Sequence, residues 1–122
     1  MHSKMHKKLF YVGNWKLYFS FHEALNFVSN YEKALSSLTT VKESIIILAP
    51  STEALFPIKQ LIKETPLFLA AQSCAPIERG AATGQTSAAN LQEIGCDYVL
   101  IGHSEQRKII KKHMPIYKMV LH

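Results

Sequence analysis

Two clusters of residues in this chain have the types and placement to do chemistry. Asn14 and Lys16 follow directly on the apolar run Leu9-Phe10-Tyr11-Val12, and His103, Ser104 and Glu105 follow directly on Tyr98-Val99-Leu100-Ile101. An amide beside an ammonium suits an anionic substrate, a phosphate or a carboxylate; a solvated surface lysine is the alternative. His103 comes after Gly102 and before Ser104, which has the character of a helix cap. At a helix N-terminus the positive end of the dipole lowers an imidazole pKa and favours the neutral ring. A neutral ring can donate a hydrogen bond to a substrate oxygen, and a structural histidine bonded to backbone is the alternative. Glu105 reads as a general base, as an ion-pair partner for Lys16, or as a first-turn carboxylate favoured by the dipole. Cys74 has no neighbour that would lower its thiol pKa, so a buried structural cysteine is expected rather than a nucleophile. The remaining histidines show no ligand spacing, so no metal is expected.

These residues gain meaning from the elements that must hold them. Four apolar runs of strand length punctuate the chain: the two named above, Ile45-Ile46-Ile47-Leu48-Ala49 and Leu67-Phe68-Leu69-Ala70-Ala71. None alternates with polar residues, as expected of strands buried on both faces in a parallel sheet. Between them lie helical patterns. Ala24, Leu25, Phe27, Val28, Tyr31, Ala34, Leu35 and Leu38 recur at three and four, one face of an amphipathic helix. A second helix is expected from about Pro57, with Ile58, Leu61 and Ile62 inward. A third runs from the cap Ser87 to a stop at Gly95. A fourth is expected from Ser104. The order β-α-β-α-β-α-β means an α/β fold with right-handed crossovers. In such folds ligands bind at the carboxyl ends of the strands, where Asn14, Lys16, Ser51, Gln72 and His103 fall. Residues 75–89 form one long aperiodic segment, of the kind that is often functional.

Composition narrows the class. At 48% hydrophobic the chain can bury one core, and no apolar run approaches the ~20 residues of a membrane span. Two cysteines without metal or redox spacing fit a reduced, cytoplasmic protein. The net charge of +5 invites a nucleic-acid reading, but Arg107, Lys108, Lys111, Lys112 and Lys118 account for all of it. That stretch has Tyr117 as its only aromatic and no recognition motif, so nucleic-acid binding is not expected, nor is a membrane partner.

Four motifs occur together and in order: Gly13-Asn14-Trp15-Lys16, Ala71-Gln72-Ser73-Cys74, Gly80-Ala81-Ala82-Thr83-Gly84-Gln85 and Gly102-His103-Ser104-Glu105, with Ile94-Gly95-Cys96 just before the fourth strand. In this, residues 8–108 resemble the N-terminal half of the triosephosphate isomerase family. The resemblance implies a partial (β/α)8 barrel of about four βα units. It implies interconversion of dihydroxyacetone phosphate and glyceraldehyde 3-phosphate through an enediolate, in glycolysis and gluconeogenesis, with no cofactor and no metal. Lys16 and Asn14 would bind substrate, Lys16 with a catalytic charge. His103 would be the neutral electrophile, for which the family is itself the standard illustration. Ser104 and Glu105 would support them. Thr83, Gly84 and Gln85 would reach into the partner subunit of a homodimer.

The chain departs from the family pattern in residue type and in length. Ser73 stands where the family has Asn, Gln85 where it has Glu, and Gln106 where it has Arg, so an ion pair across the dimer becomes an amide pair at best. A full barrel takes about 250 residues. The half carrying the glutamate base and the phosphate loops would have to come from elsewhere, as a complementing C-terminal half. The inward sheet face and both edge strands are then expected to lie open, favouring self-association. The alternative is a catalytically inactive truncated remnant that at most self-associates or weakly binds phosphate. Residues 1–7 read as a basic N-terminal tail, residues 8–108 as the half-barrel, and residues 109–122 as a basic tail outside the family pattern. Lys111-Lys112-His113-Met114-Pro115-Ile116 is what a Lys-Glu-Thr-Tyr-Ala-Asp-Ile coding run can yield one base out of frame with suitable codons, so an interrupted reading frame is expected.

Overall fold

The computed structural model describes residues 9–41, 43–101 and 118–121. Strands β1 (Leu9–Asn14), β2 (Ser44–Ala49), β3 (Phe68–Ala71), β4 (Tyr98–Ile101) and β5 (Lys118–Leu121) form one sheet in sequence order, every neighbouring pair parallel. Helices α1 (Phe21–Val41), α2 (Leu55–Ile62) and α3 (Ala88–Glu93) connect the first four strands, with a 3-10 turn at Thr52–Ala54 leading into α2. The result is the parallel α/β arrangement that the apolar runs and helical periods imply, and the half-barrel that the family resemblance implies. From sequence no strand is expected after Ile101, yet β5 pairs with β4 along four residues, Tyr98 to Ile101 against Lys118 to Leu121.

Local chemistry explains where the elements begin and stop. Ser20 and Glu23 form a reciprocal capping box at the start of α1: the Ser20 amide donates to Glu23 Oε1 (2.8 Å) and the Glu23 amide donates to Ser20 Oγ (3.2 Å). Those bonds hold the Glu23 carboxyl below its ordinary value. Pro57 sits in the first turn of α2, where a missing N–H costs nothing. Ser87 caps α3, its hydroxyl accepting from the Asn90 amide at 3.1 Å, and Gly95 ends it in the left-handed region at φ 102°.

The strands' side chains alternate between two cores. Ile46, Leu48, Leu69, Ala71 and Val99 pack with Ala24 and Val28 of α1, Leu55, Ile58 and Ile62 of α2, and Leu91 of α3. Ile47, Ala49, Ala70, Tyr98 and Leu100 form the opposite, inward core, with Val12, Ile45 and Phe68 against it. This inward face is not open as expected: Ile47 and Ala70 are 0% exposed and Leu100 is 2% exposed. Bulky residues at alternating positions meet across the inward side, and Phe68 and Tyr98 close it edge to face, their centroids 5.8 Å apart.

Apolar side chains of the sheet are exposed at the β1 edge instead. Leu9, Phe10 and Tyr11 are each more than half exposed. Beside them a groove of about 650 Å³ runs between β1 and α1, lined by Phe10, Trp15, Phe27, Leu35, Leu38 and Ile46 among others. That groove explains why Leu38, on the apolar stripe of α1, is only partly covered, at 45% exposure. Among the described residues no helix is long and apolar enough to cross a membrane.

Candidate active site

Because every strand runs the same way, the carboxyl ends of β1, β2 and β3 lie together, and the chain turns sharply after each. At the end of β1 the turn is made by Lys16, whose φ of 51° is left-handed. A non-glycine residue there carries strain of about 1–2 kcal/mol, so the surrounding contacts must hold it. They come from three strands. The Lys16 amide donates to Asn14 Oδ1 at 3.0 Å. The Lys16 carbonyl accepts from Ser51 Oγ, after β2, at 3.2 Å, and from Gln72 Nε2, after β3, at 3.0 Å. Gln72 Nε2 also donates to the Ala49 carbonyl at 3.0 Å, which accepts from the Trp15 amide at 3.1 Å as well.

Aromatic packing fixes the same turn from the helix side. Trp15 meets Phe19 and Phe27 edge to face, with centroids 5.1 and 5.4 Å apart, which ties the segment between β1 and α1 to the body of α1. Gly13 makes room for it, since a Cβ there would lie 3.2 Å from Trp15 Nε1. With its backbone so tied, the exposed Lys16 carries its ammonium on a fixed base at the ligand end of the sheet.

The structure therefore brings Asn14 and Lys16 together and adds Ser51 and Gln72, to which the sequence assigns no role. In the sequence both show as polar side chains placed just after an apolar run, Gln72 also within Ala71-Gln72-Ser73-Cys74. Thr83, Gly84 and Gln85 lie in an exposed loop whose neck is closed by the Ala75 amide donating to the Thr86 carbonyl at 2.8 Å. Gly84 adopts φ 82° there, and the Gln85 amide donates to the Ala82 carbonyl at 3.0 Å. The expected site residues His103, Ser104 and Glu105, with the departure at Gln106, lie outside the described residues. Among the described residues no group of three or more His, Cys, Asp or Glu side chains could hold a metal ion.

Both cysteines are buried and outside any disulfide. Burial raises the Cys74 pKa, and burial together with the Asp97 carboxylate, opposed by Lys59, pushes Cys96 up to about 12. Neither is a nucleophile at neutral pH. An unfolded thiol titrates near ~8.5, so the folded state prefers the protonated Cys96. Its contribution to stability is complete below that pH and is lost as pH rises toward about 12. Urea melts at pH 7 and pH 10 should show a larger loss for the wild type than for Cys96→Ala; an equal loss would remove Cys96 as the cause.

The comparisons with known proteins agree with the geometry. The triosephosphate isomerase family model matches residues 9–120. The chain belongs to the triosephosphate isomerase family. Its similarity to triosephosphate isomerase of Syntrophotalea carbinolica is 37% identity over 103 residues, covering 84% of this chain and 40% of that protein. With triosephosphate isomerase of Chlamydia muridarum it is 42% over 100 residues, covering 82% of this chain and 36% of that protein. The crystal structure of triosephosphate isomerase from Bartonella henselae superposes with a TM-score of 0.69 at 26% identity, covering 87% of this chain and 42% of that one. The chain thus spans about 40% of the length of the triosephosphate isomerases it matches. The family match runs to residue 120 and takes in β5 up to Val120.

Proposed function

We propose that this chain supplies one side of a triosephosphate isomerase site, acting on dihydroxyacetone phosphate and glyceraldehyde 3-phosphate in the cytoplasm. The observation that carries the reading is Lys16, held in a left-handed turn by groups from three strand ends, within a family that takes triose phosphates. A positive charge on a fixed base stabilises a substrate phosphate and a developing enediolate without reorganising during the reaction. Asn14 shares the substrate, His103 polarises the carbonyl as a neutral donor, and Ser104 and Glu105 support them. The reaction moves a proton between adjacent carbons, so it needs no cofactor and no metal, only a base. The exposed loop of Thr83, Gly84 and Gln85 suits a role at a homodimer interface. A coupled assay with dihydroxyacetone phosphate, with and without the C-terminal part of a relative, tests the reading.

A second reading, an inactive half-barrel that self-associates, draws on the β1 edge. There Leu9, Phe10 and Tyr11 stand more than half exposed on a strand paired on one side only among the described residues. Such an edge is a template for pairing with another chain. Light scattering on the chain alone should find dimers or larger species at micromolar concentration, and Phe10→Lys should shift them toward monomer. A wild-type chain that stays monomeric would remove this reading.

A further inference from the structure

We draw no further inference here: the strongest candidate, the apolar groove between β1 and α1 lined by Phe10, Trp15, Phe27, Leu35, Leu38 and Ile46, carries nothing because nothing in the structure shows what covers it.

Discussion

A polypeptide of these 122 residues, assayed alone with dihydroxyacetone phosphate, should give no measurable isomerisation, and activity should appear only when it is mixed with the C-terminal part of a relative. The expectation follows from what the reaction requires. A proton must leave one carbon and return to the next, and a positioned general base contributes about 10²–10⁴ in rate to such a step. Among the described residues, no carboxylate is bonded into the Asn14, Lys16, Ser51 and Gln72 cluster. Lys16 can stabilise negative charge but, as an ammonium, cannot take the proton. Charge stabilisation without a base leaves the slow step uncatalysed, so the loss is multiplicative rather than partial. In the mixed sample, Lys16→Ala should abolish the recovered turnover, because a single preorganised charge at a developing oxyanion is worth about 10²–10³ in kcat. Turnover by the chain alone at the level of a full-length family member would sink the proposal that the two sides of the site are supplied separately. Recovered activity indifferent to Lys16 would sink the role given to the lysine.

How much of this was open to inference from sequence depends on the range of the interactions. β1 to β4 were legible because unbroken apolar runs leave few alternatives, and α3 because Ser87 and Gly95 are local signals read within one turn. The placement of Asn14 and Lys16 at a strand end was legible because position after a strand is also local. The bonds of Gln72 were not, since it reaches a carbonyl 56 residues away and nothing near it in the chain announces the partner. β5 was hidden for a different reason: Met119-Val120-Leu121 is a short run beside a basic stretch, and strand pairing with β4, not local preference, makes it a strand. Tyr31 and Leu38 keep helical spacing yet stay 51% and 45% exposed, because periodicity identifies a face but not how far its neighbours reach across it.

The same limit governs the inward face of the sheet, where the second large effect is expected. Ile47→Ala should destabilise the chain by about 2–5 kcal/mol, a large share of the ~5–15 kcal/mol that holds a domain together. Ile47 lies on a central strand, is 0% exposed, and belongs to the inward core with Ala49, Ala70, Tyr98 and Leu100. Truncating it removes about three methylene-sized groups from contact on all sides and leaves a void that rigid strands close poorly. Were the inward face open, the same substitution would shed apolar surface already in water and cost well under ~1 kcal/mol. Leu48→Ala, on the helix-facing side of the same strand at 4% exposure, serves as the reference for a core position. Chemical denaturation of the wild type and the two variants decides between the cases. Comparable losses for Ile47→Ala and Leu48→Ala mean that the half-barrel packs both faces by itself. A near-zero loss for Ile47→Ala beside a large one for Leu48→Ala means that the inward face acquires its core only when another chain supplies the missing strands. In that event, adding the C-terminal part of a relative should restore the Ile47 penalty.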